Sequence, residues 1–215
     1  MDFDDTELYR DITGLAHDTP AWVQHTAETG TEAGILLFAA LFVAAWWRAR
    51  RDSAHAFAIA VVAPLATALA YVCSELLKSG FAQERPCRAV ADAAASLAAC
   101  PPHGDWSFPS NHATTAGASA AGLVLVRRAL VLLTAPLALL LAFSRVFVGV
   151  HYPHDVAAGL LLGAAVAVIA VRLATRPATR LAEAMRSSSA PAVRWLTGPG
   201  PQAVRVSSYA GHRRT

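Results

Sequence analysis

Charge is scarce in this chain. Only 15% of its 215 residues are Asp, Glu, Lys or Arg, while 55% are hydrophobic and the mean hydropathy is +0.40. Soluble domains carry about 25% charged residues, so this composition argues against a water-clad surface. Cysteine is scarce too. Of the three, Cys73 falls inside an apolar run and reads as a small packing residue. Cys87 and Cys100 share one polar segment, without the CxxC or HxxxH spacing of common zinc sites. A disulfide in an oxidising compartment and a zinc set completed by His103 both remain open, the first preferred. A basic N-terminal region followed by an apolar core is missing, so the first apolar run is expected to act as its own insertion signal. No internal repeat is visible.

Long apolar runs are what the chain has instead, at 34–47, 55–74, 113–126, 129–144 and 156–171. A membrane span takes about 20 apolar residues, and five such runs with little charge between them point to a polytopic membrane helix bundle. Arginines follow the first run (Arg48, Arg50, Arg51), the third (Arg127, Arg128) and the fifth (Arg172, Arg176, Arg180). Those ends share one side, which the positive-inside rule makes cytoplasmic. Trp46 and Trp47 close the first run as interfacial aromatics.

The expected fold is therefore all-α, with about five transmembrane helices at about 31–48, 55–77, 111–127, 129–146 and 154–173. An acidic N-terminal interfacial segment, 5–29, lies outside; within it, 5–16 places Leu8, Ile12 and Leu15 on one face of an amphipathic helix. Residues 1–173 form the membrane domain, and 174–215 a basic, disordered cytoplasmic tail suited to anionic lipid headgroups.

On this topology the unusual polar residues collect at one face. Lys78 and Arg85 follow the second run; Ser110, Asn111 and His112 precede the third; Ser144, Arg145, His151 and Asp155 lie between the fourth and fifth. Chance interfacial anchors would be spread over both faces. A phosphate ligand gives each group a role. Guanidinium forks and a lysine neutralise phosphoryl oxygens. A helix opening at Pro109 and Ser110 offers free N–H groups, to which the Ser110 hydroxyl and the Asn111 amide add donors. Asp155, four residues after His151, can hold one imidazole nitrogen as N–H and leave the other as a lone pair for attack. His112 is then free to protonate the departing oxygen. The outer loops lack the clustered carboxylates of a two-metal phosphatase, so no metal and no cofactor are expected.

Other polar residues have plainer readings. Arg172 and Arg176 serve as interfacial anchors, and His17, His25, His55 and His212 as ordinary hydrogen-bonding residues. His103 and His154 lie near the site without a role that the chemistry demands. Glu75 and Glu84 pair with the neighbouring cations. Gly159 and Gly163 form a GxxxG that suits helix packing.

The motifs resemble those of a known family. KSGFAQERP is a lysine, six residues, then Arg-Pro; PSNH follows after 22 residues; SRVFVGVHYPHD is Ser-Arg, five residues, His, three residues, Asp. Together they are similar to the three-part signature of the type-2 phosphatidic acid phosphatase superfamily, which includes bacterial lipid phosphatases and vanadium haloperoxidases. The resemblance implies His151 as nucleophile forming a phosphohistidine, Asp155 as its orienting partner and His112 as leaving-group acid. It implies phosphate binding by Lys78, Arg85, Ser110, Arg145 and the backbone N–H of Asn111. Asn111 stands where the second motif usually has glycine, which puts the tightness of that loop in question. The short amphipathic N-terminus is similar to the bacitracin-resistance type of undecaprenyl-diphosphate phosphatase. That branch implies a bacterial plasma-membrane enzyme with an extracytoplasmic site that removes the terminal phosphate of undecaprenyl diphosphate. Phosphatidylglycerophosphate, phosphatidic acid or a prenyl-phospho-sugar are the alternative substrates. The expected partners are that lipid phosphate and membrane lipids, with no nucleic acid. Haloperoxidase chemistry is disfavoured by the apolar spans, and a channel by the lack of charge deep within them.

Overall fold

The structure, a computed structural model, describes residues 5–201. Among them are eight α-helices and no strand: α1 (Thr6–Asp18), α2 (Ala21–Ala49), α3 (Ala54–Phe81), α4 (Pro86–Ala89), α5 (Asn111–Val126), α6 (Val131–Phe147), α7 (Pro153–Arg186) and α8 (Pro191–Thr197). A single 3-10 turn, Arg128–Leu130, joins α5 to α6. Prolines and polar caps set the boundaries. Pro86, Pro153 and Pro191 occupy the opening turns of α4, α7 and α8, where a missing N–H costs nothing. Ser53 opens α3 by accepting the Ala56 N–H at 3.1 Å, and Ala82 closes it in the left-handed region at φ 46°.

Four stretches are long and apolar enough to cross a bilayer: Ala21–Ala49, Ala54–Ala89, Arg128–Phe147 and Pro153–Arg186. The chain is a multi-pass membrane protein, and leucines such as Leu36, Leu76, Leu132 and Leu161 are exposed around its girth. The fifth expected span is α5. Its 16 residues rise about 24 Å, short of a hydrocarbon core of about 30 Å. It tolerates this because α2, α3, α6 and α7 all pack around it.

That central helix is built of small residues. A Cβ on Gly117 would stand 2.4 Å from the Leu160 carbonyl oxygen, and one on Gly163 only 2.0 Å from that of Thr114. A Cβ on Gly159 would stand 2.6 Å from the Ser110 carbonyl oxygen. The GxxxG therefore packs α7 backbone to backbone against α5.

The structure differs from the expected boundaries in three places. The N-terminal segment does not continue as one element from 5 to 29, because Thr19 and Pro20 interrupt it and Ala21 already begins α2. The face of α1 that docks on the protein is Tyr9, Thr13 and Ala16; Leu8 and Leu15 are exposed, and of the expected stripe Ile12 alone packs inward. At the other end α7 continues past residue 173 to Arg186, and α8 folds back on it. Arg186 donates to the Asp52 and Thr197 carbonyls, and Trp195 packs on Trp46, so a basic composition had masked an ordered segment. Residues 202–215 of the expected tail, with His212, lie outside the described residues.

Cys87 and Cys100 are joined in a disulfide across 13 residues, so the alternative zinc set has no free thiolate. This link braces the long loop between α4 and α5. The loop is also tied down by Leu97 N–H to the Val148 carbonyl at 3.0 Å and by His17 to the Ala95 carbonyl at 2.7 Å.

The α5–α7 contact gives a direct test. Gly163→Val should push α7 off α5 and destabilise the protein by about 1–3 kcal/mol, the usual cost of overpacking. Thermal unfolding of the detergent-solubilised protein would measure it, and Gly14→Val, where a Cβ meets open space, is the control.

Candidate active site

Every candidate residue from the sequence lies at one end of the bundle. Lys78 comes from the last turn of α3, Arg85 caps α4, Ser110 caps α5, and Arg145 ends α6. His151 sits in the link before α7, and Asp155 in its first turn. Lys78, Arg85, Ser110, His151 and Asp155 are all buried.

His151 is held from both sides. Its Nε2 lies 3.1 Å from an Arg85 guanidinium nitrogen, which also donates to the Val150 carbonyl at 3.0 Å. Arginine has only protons to give, so Nε2 must present its lone pair. The ring proton then sits on Nδ1, 3.3 Å from the Asp155 carboxylate. Complete burial pushes the imidazole down to about 4, against the raising effect of Asp155. His151 is therefore neutral at physiological pH, with its free lone pair on the side of the cations.

Asp155 is fixed by more than the histidine. One carboxylate oxygen accepts the Tyr152 backbone N–H at 2.8 Å, closing the first turn of α7, and the Ser107 hydroxyl as well. The Asp155 carbonyl accepts the Ser110 N–H at 3.1 Å, which locks the starts of α5 and α7 together.

The cations converge on Asp105. Its Oδ1 accepts from Arg85 at 2.8 Å and from Lys78 at 3.3 Å, and its carbonyl accepts Arg85 Nε at 2.8 Å. Burial would raise this carboxyl, but Arg85 and Lys78 outweigh that and hold it below the usual range. Arg145 is different. Its Nε is buried without a hydrogen-bond partner, and among the described residues its side chain has no ion pair.

The three polar residues of the second motif each have partners within the protein. The Asn111 amide accepts from Ser74 at 2.7 Å and donates to Glu75, both on α3, which runs alongside the start of α5. Its backbone N–H remains on the first turn. Ser110 is wholly buried and caps α5, accepting the Ala113 N–H at 3.5 Å. His112 stands at the edge of the group, its Nε2 3.1 Å from Glu32 of α2. It borders a cavity of about 590 Å³ between α2, α3 and α5, lined by the polar Glu32, Asn111 and His112 and by the apolar Phe38, Phe42 and Pro64.

Sequence reasoning assigned no role to Ser107, Glu32 or Asp105. Ser107 carries no pattern signal. Glu32 had one, as a carboxylate at the threshold of an apolar run. A stronger signal was overlooked for Lys78, which is the only lysine in the chain.

The sequence pattern of the PAP2 superfamily matches residues 59–177, more than half of the chain. An undecaprenyl-diphosphatase of Sulfolobus acidocaldarius is 35% identical over 85 residues, covering 39% of this chain and 41% of that protein. A decaprenylphosphoryl-5-phosphoribose phosphatase of Mycobacterium tuberculosis is 48% identical over 63 residues, 29% of this chain and 34% of that protein. The matched stretches thus span well under half the length of these relatives. The crystal structure of Aquifex aeolicus LpxE shares the fold with a TM-score of 0.59 at 24% identity, over 77% of this chain and 93% of that one.

The depressed His151 has a consequence for stability. Between pH 6.5 and about 4 the unfolded chain takes up a proton at this residue and the folded protein does not. Stability should therefore fall as pH falls through that window. The slope should be shallower in His151→Gln, as read from unfolding midpoints across pH.

The chain belongs to the PAP2 superfamily.

Proposed function

We propose that this protein is a metal-independent membrane lipid phosphatase working through a phosphohistidine. One observation carries the reading: His151 presents a proton-free Nε2 beside Arg85, backed at Nδ1 by Asp155. In this reading Nε2 attacks the terminal phosphorus, and a phosphorus–nitrogen bond forms as the bond to the leaving oxygen breaks. His112 gives that oxygen its proton. Lys78, Arg85 and Arg145, with the N–H groups opening α5, take up the charge on the phosphoryl oxygens. Water, deprotonated by His112, then attacks phosphorus and releases phosphate, regenerating neutral His151. Asp155 holds the tautomer throughout and offsets the positive charge that the imidazole gains.

The lipid end of the substrate fits the apolar cavity below His112. Undecaprenyl diphosphate, at the extracytoplasmic face of a bacterial plasma membrane, is the substrate read from the sequence, and the resemblance to the Sulfolobus protein supports it. A prenyl-phospho-sugar is the second reading. It is supported by the Mycobacterium relative and by the Glu32 carboxylate, which lines the cavity beside His112 and can accept from a sugar hydroxyl.

Phosphate release from a lipid panel by the detergent-purified protein tests this. His151→Ala should abolish release, and Asp155→Asn should lower kcat by about two to four orders of magnitude, since it strands the wrong tautomer. EDTA should leave the rate unchanged. Normal turnover in His112→Ala would remove that residue from the mechanism.

A further inference from the structure

The end of the bundle opposite His151 holds a second cavity, of about 770 Å³, within the usual size of a small-molecule site. It lies where α2 ends, α3 begins and α5 gives way to the 3-10 turn. The catalytic group takes the other ends of α3 and α5. Three arginines line the cavity: Arg48, Arg51 and Arg127. Asp52 is the one carboxylate on its wall among the described residues, so three positive charges against one negative leave a surplus of two.

Neighbouring cations are already engaged. Arg50 stands over the rings of Trp46, Trp47 and Trp195, 4.3 Å from the nearest centroid, and Arg186 donates to the Ala49, Asp52 and Thr197 carbonyls. Arg48, Arg51 and Arg127, by contrast, are exposed and have no ion pair or side-chain hydrogen bond among the described residues. The rest of the wall is mostly apolar and leads into the membrane. Leu41, Ala44, Ala45 and Arg48 recur at the i, i+3, i+4, i+7 spacing of one helix face, so α2 presents an apolar stripe that ends in a cation. Leu41 lies about 10 Å deeper than Arg48. The small side chains of Ala44 and Ala45 leave a channel there, and Leu130 bounds it from the 3-10 turn. Cations at a span end, above such a channel, suit a phosphate at the interface with a hydrocarbon chain beneath it. A soluble anion would meet the arginines and leave the stripe unfilled.

We propose that this cavity binds an anionic glycerophospholipid, its phosphate held by Arg48, Arg51 and Arg127 and an acyl chain laid along Leu41, Ala44 and Ala45. The phosphate joins the α2–α3 turn, which carries Arg51, to the α5–α6 turn, which carries Arg127. A ligand that binds the folded chain in this way stabilises it. A zwitterionic lipid brings a cation of its own, which the three arginines repel. The site shares no residue with the catalytic group, so it stands independently of the phosphatase reading.

Native mass spectrometry of the detergent-purified full chain tests this, with phosphatidylglycerol and phosphatidylcholine of matched acyl chains in competition. Phosphatidylglycerol carries no phosphomonoester, so phosphatase turnover does not consume it. One phosphatidylglycerol should be retained over phosphatidylcholine by about tenfold or more, since each arginine near a headgroup is worth about fivefold. Arg48→Gln, Arg51→Gln and Arg127→Gln together should cut that preference to within about twofold. Arg172→Gln, Arg176→Gln and Arg180→Gln together remove the same charge towards the same end of the bundle, outside the cavity, and should leave the preference intact. Equal retention of the two lipids by the unsubstituted chain overturns the site. So does equal loss in both triple variants, which marks diffuse attraction to a basic surface. Ala44→Phe fills the channel without changing any charge and should weaken retention by about fivefold or more. Unchanged retention in that variant overturns the lipid assignment, as does equal protection against thermal unfolding by soluble glycerol phosphate. Unfolding midpoints without lipid establish that each variant is folded, and phosphatidylglycerol should raise the midpoint of the unsubstituted chain and not that of the cavity triple.

Discussion

The backbone contact between α5 and α7 is the constraint on which the site depends. Glycines at 159 and 163 let the two helices meet at a distance no side chain would permit. At the top of that contact the Ser110 N–H reaches the Asp155 carbonyl. One helix start therefore presents its free backbone N–H groups and the other the His151–Asp155 pair, held in fixed register. A shift of α7 by the width of a methyl group would separate them. The smallness of the residues on α5, which looks like mere membrane composition, is thus a geometric requirement of the chemistry.

Burial does the second part of the work. Lys78 and Arg85 are almost entirely removed from solvent, where an unpaired cation would be costly to keep. Asp105 compensates both with one oxygen and the Arg85 Nε with its carbonyl. The same burial keeps His151 neutral, although a carboxylate touches it. Desolvation and the Arg85 charge win over the Asp155 attraction, so the ring is neutral instead of locked in an ion pair.

Much of this was legible in the sequence, for a physical reason. Charge is so unwelcome in these spans that the few cations, histidines and carboxylates at helix ends stand out, and their common side follows from counting the runs. The spacing of His151 and Asp155 across one helical turn, and the prolines at helix starts, are local signals that the structure repeats. The boundaries were less legible. Nothing in composition says that α7 continues to Arg186, because its last turns are stabilised by contacts with Asp52 and Thr197 that are distant in sequence. Ser107 was invisible for the same reason, since it touches Asp155 from a loop 48 residues away. The Asn111 side chain was read as a phosphate donor because its partners, Ser74 and Glu75, lie on another helix.

The two sides of the site also have different origins in the chain. Lys78, Arg85, Asp105, Ser110, Arg145, His151 and Asp155 all fall within residues 59–177, the stretch that matches the superfamily. Glu32 lies on α2, outside it, and so does α1, whose Tyr9 hydroxyl donates to the Gly149 carbonyl beside His151 at 2.9 Å. Helix α2, by contrast, lines the cavity beside His112 and packs on the bundle without joining the hydrogen bonds of the His151–Asp155 pair. Substitutions on α2 can change the lining of that cavity while leaving the α5–α7 contact untouched. A fold arranged this way can keep one reaction and exchange substrates, which is the physical reason that family membership and substrate identity are separate questions here.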